Sequence, residues 1–152
     1  MQTPFDALVI GSGQAGPFLA VRLAAAGPKV ALVEREHLGG TCVNDGCMPT
    51  KTLVASARVA HLARRASDYG VKVGPSVSVD MRAVKARKDL VDRNAVDSLA
   101  QWLDGTPGLH MILGHARFVA PHAIEVNGDS VAPSYAATRN GRIGSTTADC
   151  RA

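Results

Sequence analysis

Residues 7–16, ALVIGSGQAG, place a short apolar run directly before a glycine-rich turn. The apolar residues predict a buried strand, and Gly11, Gly13 and Gly16 predict a tight turn that opens a helix. We expect this helix to run from about residue 14 to residue 26, where a Gly-Pro pair ends it. A strand, a glycine turn and a helix in this order are typical of a dinucleotide-binding α/β unit.

A second predicted strand, residues 29–33, leads into Glu34. This residue follows Gly16 by 18 positions, about where a dinucleotide fold places the carboxylate that accepts hydrogen bonds from a ribose. Gly11 would permit the tight turn, Gly13 would let the backbone approach a pyrophosphate, and the helix N-terminus would face the phosphate charge. The competing interpretation is a chance glycine turn in an ordinary α/β protein.

Residues 39–51, GGTCVNDGCMPTK, place Cys42 and Cys47 in one short segment beside glycines. An ideal helix would hold these two positions roughly 8 to 9 Å apart, whereas a disulfide needs Cα atoms about 4.4 to 6.8 Å apart. The oxidised form therefore needs a bend, for which Gly46 supplies backbone freedom and Pro49 a break. A bridge in imperfect geometry is more easily reduced, so the segment predicts a redox-active disulfide.

Other interpretations of the same cysteines stay open. Cys42 and Cys47 could form half of a zinc site, but the sequence offers no second cysteine pair or close histidine pair to complete four ligands, and we predict no metal site. They could also be unrelated free thiols. Lys51, taken alone, would be a solvated helix residue. The five histidines are interpreted as surface or packing residues, and Cys150 is given no role.

Together, the two motifs resemble those of the class I pyridine nucleotide-disulfide oxidoreductases, which include glutathione reductase, dihydrolipoamide dehydrogenase and mercuric reductase. The resemblance covers residues 5 to about 131. The wording of residues 39–51 is most similar to mercuric reductase and dihydrolipoamide dehydrogenase, although Met48 departs from the usual pattern. The resemblance implies an α/β fold: a Rossmann-like FAD-binding domain that combines a parallel sheet, helices and a small β-meander.

The resemblance also implies the chemistry of the cysteine pair. Cys42 would be the interchange thiol, and Cys47 would lie against the flavin and form the charge-transfer thiolate. Electrons would pass from NAD(P)H through FAD to the Cys42–Cys47 disulfide and then to a small-molecule disulfide, dithiol or Hg(II) partner. A thiolate is favoured at a helix N-terminus or near a cation, so we expect the pKa of Cys42, at the start of a helix, to be lowered.

A set of cofactor-binding residues follows from the same resemblance. Gly40 and Thr41 would contact the FAD phosphates, Lys51 would lie near the flavin ring, and the adenine would rest against the backbone around Ala116. With the glycine turn, the implied FAD-binding residues are Gly11, Ser12, Gly13, Gly16, Glu34, Gly40, Thr41, Lys51 and Ala116. Full-length members of the family also bind NAD(P)H and are homodimers that assemble through an interface domain.

Downstream of the redox segment, the pattern predicts two helices and then short strands. The first helix would run from residue 51 to about 67, and the second from an N-cap at Asp80 to about residue 103, with its basic residues on a solvated face. Asn127-Gly128 predicts a hairpin turn. The expected strands around it are residues 110–119, 123–126 and 130–131.

Apolar periodicity is lost from about residue 132. We expect residues 1–131 to be the N-terminal part of an FAD-binding domain and residues 132–152 to be a disordered or frameshifted tail. The family has a further buried strand that ends in Ala-Thr-Gly, whereas this chain has only Ala137-Thr138-Arg139, so we expect an incomplete parallel sheet. A length of 152 residues suits one domain, and no second glycine fingerprint follows a strand.

Composition excludes some partners. The net charge of +4 and the low aromatic content do not suit a nucleic-acid surface. Apolar runs are too short to span a membrane, and the N-terminus lacks the pattern of a signal peptide. A cycling cysteine pair suits a reducing cytoplasm.

Two hypotheses of function remain. In the first, the chain is the FAD and disulfide segment of a reductase, inactive alone because the nicotinamide and interface domains are missing. In the second, it is a non-enzymatic, truncated nucleotide-binding domain or the product of a broken gene.

Overall fold

The computed structural model describes residues 5–74, 76–120, 123–131, 133–138 and 143–145. The chain forms two compact units. We call Met1–Gly40 together with Ser98–Ala152 the sheet unit, and Thr41–Asp97 the helical unit.

Helices and strands alternate early in the chain, and strands dominate late. The strands are β1 (Ala7–Ile10), β2 (Val30–Glu34), β3 (Leu109–Leu113), β4 (Ala116–Ala120), β5 (Ala123–Val126), β6 (Asp129–Val131), β7 (Tyr135–Thr138) and β8 (Ile143–Ser145). The helices are α1 (Gly16–Ala25), α2 (Gly40–Asn44), α3 (Cys47–Arg64) and α4 (Met81–Asp104), and a short 3₁₀ helix covers Ala66–Tyr69.

The sheet unit is built on a five-stranded sheet with the order β3-β2-β1-β7-β8. In this sheet β2 pairs in parallel with β3 and β1, and β1 pairs in parallel with β7. The edge strand β8 pairs antiparallel with β7. Alternate side chains of β1 and β2 enter two separate cores, so both strands are buried on both faces, as is typical of a parallel sheet. Ala20 and Ala24 of α1 pack into one of these cores, where their small side chains suit a close approach of helix and sheet. The expected α/β fold is confirmed.

The β-meander is formed by β4, β5 and β6, which pair antiparallel. Asn127 and Gly128 both have positive φ angles, 54° and 90°, so the predicted hairpin turn is confirmed. The single strand expected at residues 110–119 is wrong, because Gly114 and His115 divide it into β3 and β4 in different sheets. At Gly114, where the chain passes from one sheet to the other, a Cβ atom would lie only 2.3 Å from Oδ1 of Asn127.

Beyond residue 132 the structure differs from the expected disordered tail. Residues Tyr135–Thr138 form β7 and pair in parallel with β1, and the Tyr135 amide donates a hydrogen bond to the Asp6 carbonyl at 3.0 Å. The expectation is corrected for these residues: a short strand forms because β1 offers a backbone edge to pair with, a contact that periodicity does not show. Cys150 lies outside the described residues. The proposed frameshift near residue 131 stays a prediction.

The helical unit contains α3 and most of α4. Asp80 caps α4 as predicted, since its Oδ1 accepts hydrogen bonds from the amides of Arg82 and Ala83 at 2.8 and 3.2 Å. The basic residues of α4 are not simply solvated: Arg87 donates to the Thr52 carbonyl of α3 at 3.1 Å, and the Lys88 ammonium pairs with carboxylates along its own helix. Among the described helices, none combines the length and the apolar character needed to cross a membrane.

Candidate cofactor and redox site

The glycine turn after β1 uses each of its glycines differently. Gly11 has a φ of 96° and donates its amide to the Val33 carbonyl at 2.7 Å. A Cβ atom on Gly16 would lie 2.0 Å from the carbonyl oxygen of Gly11, so only glycine lets α1 begin this close to β1. A Cβ atom on Gly13 would meet no atom within 4 Å. Packing within the protein therefore explains Gly16, whereas at Gly13 the turn has room for a pyrophosphate to approach the backbone.

Glu34 ends β2 as a buried carboxylate that the chain itself binds. The Ser12 amide and hydroxyl both donate to Glu34 Oε2, at 2.8 and 2.6 Å, and the Glu36 amide donates to Oε1 at 2.9 Å. Burial opposes ionisation of this group, but the hydrogen bonds from Glu36 and Ser12 outweigh it and hold the pKa of Glu34 below its ordinary value. The site thus presents a charged acceptor, which fits the ribose-binding role predicted from the sequence.

Two further glycines bring the start of α2 to this turn. Gly39 donates its amide to Ser12 Oγ at 3.1 Å. Gly40 has a φ of 59°, and a Cβ atom there would lie 3.1 Å from Cα of Gly13. The predicted Gly40 therefore lies against the glycine turn, which supports a shared phosphate site. Gly39 begins the redox segment but was not among the predicted cofactor-binding residues, although its φ of 92° makes it another position that favours glycine.

Ala116 opens β4, close along the chain to the end of β3. The Gly114 amide donates to the Glu34 carbonyl at 2.8 Å, so this segment begins beside the end of β2. Ala116 is partly buried against the core that contains Phe5 and Leu8. The structure thus brings together the predicted residues of the glycine turn, Glu34, Gly40 and the strand that begins at Ala116.

The cysteine pair lies on either side of a break between two helices. Asn44 ends α2, Cys47 begins α3, and Gly46 lies between them with φ −116° and ψ −107°. The Cys42 and Cys47 side chains are within hydrogen-bonding distance of each other, and both are free thiols. Cys42 is half-buried and Cys47 is exposed. The predicted bend is present, and the two thiols interact across it.

Gly46 lies in this break, and Pro49 does not. A Cβ atom on Gly46 would lie 3.0 Å from the Thr41 carbonyl oxygen, a backbone atom that cannot easily move. Pro49, expected to help break the helix, instead lies buried in the first turn of α3. The first helical turn tolerates proline because its amide has no partner there in any case. The helix predicted to start at residue 51 therefore starts at Cys47, because Pro49 is accommodated within its first turn.

The acidity of Cys42 differs from the sequence-based expectation. Its hydrogen bond with Cys47 is the largest cause that holds the pKa of the Cys42 thiol above its ordinary value. The backbone amide of Cys47 and the positive charge of Lys51 act in the opposite direction but do not prevail. The expected lowering by a helix N-terminus is therefore corrected: a neighbouring thiol outweighs it while the pair is reduced.

Thr41 and Lys51 lie close to the cysteine pair in the sequence, and both side chains are exposed. The Thr41 carbonyl accepts a hydrogen bond from the Asp45 amide at 2.9 Å, which forms part of the turn before Gly46. Lys51 lies one helical turn beyond Cys47, on α3. The contacts of these two residues with a cofactor stay predictions.

A family model described as pyridine nucleotide-disulphide oxidoreductase matches residues 5–135. The chain belongs to this family. The resemblance stated from the two motifs is thereby confirmed, since the matched residues include both the glycine turn and the redox segment.

Similar proteins of the pyridine nucleotide-disulphide oxidoreductase family include reductases and dehydrogenases. A dihydrolipoyl dehydrogenase from Acholeplasma laidlawii is 34% identical over 86% of this chain and 39% of its own length. A mercuric reductase from Bacillus cereus is 37% identical over 84% of this chain and 20% of its own length. The structure of the HOCl-induced flavoprotein disulfide reductase RclA from Escherichia coli matches with a TM-score of 0.70 and 32% identity, over 90% of this chain and 28% of that one. The chain thus spans only a fifth to two fifths of these relatives.

Proposed function

We propose that this chain is the FAD and redox-disulfide segment of a flavoprotein disulfide reductase. In this proposal the Cys42–Cys47 disulfide would take up two electrons, which a bound FAD would supply from NAD(P)H, and two protons to become a pair of thiols. The pair then reduces a small-molecule disulfide or Hg(II). The observation that carries the proposal is the contact of the two thiols across the Gly46 break, in a member of this family.

The thiol step with a disulfide substrate is written on the chain's own residues. Cys42, as thiolate, attacks one substrate sulfur, forms a mixed disulfide and releases the first substrate thiol. Cys47 then attacks the Cys42 sulfur, which releases the second thiol and restores the Cys42–Cys47 disulfide. The order of attack, Cys42 before Cys47, is the one that the resemblance of residues 39–51 to the family implies. The Cys47 amide and Lys51 only partly offset the hydrogen bond that raises the pKa of Cys42.

For the cofactor, we propose that FAD binds along the residues predicted from the sequence. Gly13 leaves open space at the turn, Gly40 lies against it, and Glu34 offers a charged acceptor for a ribose hydroxyl. Ser12 and the start of β4 at Ala116 complete this part of the proposed site. Gly11 and Gly16 shape the turn, and Thr41 and Lys51 would contact the phosphates and the flavin.

A further part of the proposal concerns the activity of the chain alone. The sequence holds one glycine fingerprint, and we propose that nicotinamide binding and dimerisation depend on other parts of a family protein. Hydride transfer needs the nicotinamide held against the flavin, and such positioning can account for roughly 7 to 11 kcal/mol of barrier reduction. The 152-residue chain should therefore show thiol exchange without NAD(P)H turnover. We place its action in a reducing cytoplasm.

Peptide mass analysis tests the cysteine pair directly. The purified chain is oxidised, digested without reductant and analysed for cross-linked peptides. A dominant Cys42–Cys47 linkage is expected because the two thiols interact across the Gly46 break. A dominant bridge from either residue to Cys150 would overturn the proposed role, since the pair would then be incidental.

A kinetic assay tests the rest of the proposal. NAD(P)H oxidation is followed with excess FAD and a disulfide substrate, and the Cys42→Ser, Cys47→Ser double variant gives the background. Thiol release from a small disulfide is followed separately and should exceed that background. Catalytic NAD(P)H oxidation by the chain alone would contradict the proposed dependence on other domains, and absence of any thiol exchange would favour a nucleotide-binding domain without catalysis.

A further inference from the structure

Ser12 is completely buried within the glycine turn, and its hydroxyl is fully committed to the protein. It donates to Glu34 Oε2 at 2.6 Å and accepts from the Gly39 amide at 3.1 Å. A serine hydroxyl has one hydrogen to donate, and a backbone amide can only donate. The direction of this chain of hydrogen bonds is therefore fixed: from Gly39 through Ser12 to Glu34.

The same carboxylate oxygen also accepts from the Ser12 amide at 2.8 Å. One residue thus supplies two donors to Glu34 Oε2, and hydrogen bonds to an ionised acceptor are stronger than neutral ones. Gly39 directly precedes Gly40, where an added Cβ atom would lie 3.1 Å from Cα of Gly13. Ser12 therefore connects the carboxylate at the end of β2 with the residues that close around the turn.

We propose that Ser12 is a positioning residue for the dinucleotide: its hydroxyl fixes the Glu34 carboxylate and the Gly39 amide so that a ribose meets a rigid, charged acceptor. Ser12 acts through Glu34, and its own hydroxyl donates no hydrogen bond to the cofactor. This inference rests on the proposed cofactor site and deepens it, because the resemblance implied Ser12 only as one of several binding residues. It also explains why a buried hydroxyl, which costs free energy when unpaired, is placed in this turn.

Other charged groups near Glu34 remain unchanged when Ser12 is substituted. Arg35 and Glu36 follow it in sequence, are exposed and pair with each other at 2.8 Å, and His37 comes next. The turn at residues 11–15 carries no titratable side chain, and His110 on the adjacent β3 lies opposite Ala31, three residues before Glu34. An altered titration of Glu34 in a Ser12 variant would therefore report the lost hydroxyl.

A double-mutant cycle on FAD binding tests the positioning role. Dissociation constants are measured by fluorescence for the wild-type chain, Ser12→Ala, Glu34→Gln and the double variant, with the exposed Ser130→Ala as the matched control. Ser12→Ala should weaken binding by about tenfold, the size of one lost hydrogen bond to a charged group. In the Glu34→Gln background the same substitution should have a clearly smaller effect. Equal losses in both backgrounds would overturn the inference.

Carbon-13 NMR of the Glu34 carboxyl gives a readout that does not need the cofactor. Loss of the donor hydroxyl should move the titration midpoint of Glu34 upward in Ser12→Ala, and Ser130→Ala should leave it in place. Ser12→Gly removes the same hydroxyl and serves if the alanine variant does not fold. An unchanged midpoint in a folded variant would refute the role of Ser12. A shifted midpoint in a chain that binds no FAD would support Ser12 and count only against the proposed function.

Discussion

The glycine turn after β1 and the redox segment between α2 and α3 are both short loops before a helix, but the protein supports them differently. The turn is held by long-range contacts, with Ser12 buried and bonded to Glu34 and Gly39. The redox segment is held by local contacts around Gly46, and Cys47 is exposed. The difference suits the two proposed roles. A turn that binds a cofactor needs fixed hydrogen-bond donors and acceptors, whereas a thiol that exchanges with a substrate must be accessible to that substrate.

The largest expected effect comes from adding one methyl group to the glycine turn. In Gly16→Ala, the new Cβ would lie 2.0 Å from the Gly11 carbonyl oxygen, so α1 must shift and stability should fall by about 3 kcal/mol. In Gly13→Ala, the Cβ meets no atom within 4 Å, so stability should change by less than about 1 kcal/mol. Denaturant unfolding measures both changes.

FAD titration of the same two variants sharpens the comparison. Gly13→Ala should fold like the wild-type chain yet bind FAD at least about tenfold more weakly, because the methyl group fills the space left for a pyrophosphate. A Gly13→Ala chain with unchanged stability and unchanged FAD affinity would show that the open space at Gly13 is not the phosphate site.

The second effect tests the local support of the redox segment. Gly46→Ala places a Cβ 3.0 Å from the Thr41 carbonyl, which should separate Cys42 from Cys47, slow their oxidation to a disulfide and cost about 1 to 2 kcal/mol of stability. Gly74→Ala is the matched control in the same unit, since a Cβ there meets nothing within 4 Å. Disulfide formation is followed by mass after timed oxidation and quenching. Equal rates in the two variants would mean that Gly46 does not hold the pair together.

The sequence predicted those parts of the molecule that depend on short-range pattern. The glycine turn, the strand ending in Glu34 and the Asp80 cap each occupy a few consecutive residues whose chemistry determines the local backbone. Asn127 and Gly128 are predictable for the same reason, because their hairpin requires positive φ at both positions. Membership of the family followed from two such segments read together.

The missed features depend on partners distant in sequence. Tyr135–Thr138 forms a strand because β1 lies beside it, and a side chain at Gly114, between β3 and β4, would clash with Asn127. The raised pKa of Cys42 depends on the orientation of the Cys47 thiol, which spacing alone does not give. The hydroxyl of Ser12 likewise shows its partners only when β2 and residue 39 are placed around it.

A third, smaller effect concerns the reactivity of Cys42. Because the hydrogen bond with Cys47 is the main cause that raises the pKa of Cys42, Cys47→Ala should lower that pKa and increase the thiolate fraction near neutral pH. Alkylation of Cys42 by iodoacetamide should then be several-fold faster than in the reduced wild-type chain, and its rate should reach a plateau at lower pH. Adding Lys51→Ala to this variant should reverse part of the gain. A slower reaction in Cys47→Ala would show that Cys47 activates Cys42 in the reduced pair.

The smallest effect is the acid dependence of stability at Glu34. Hydrogen bonds hold its pKa in the folded protein below the ordinary value of 4.5, so its contribution to stability is present above that value and is lost as the pH falls through the folded pKa. Glu34→Gln cannot titrate, so the difference in unfolding free energy between wild type and variant should shrink as the pH falls below 4.5. Glu36→Gln is the control, because its backbone amide still donates a hydrogen bond to Glu34 Oε1. In this variant the acid dependence that Glu34 contributes should persist. A difference that stays constant from neutral to acid pH would mean that the Glu34 charge contributes nothing to the stability of the glycine turn.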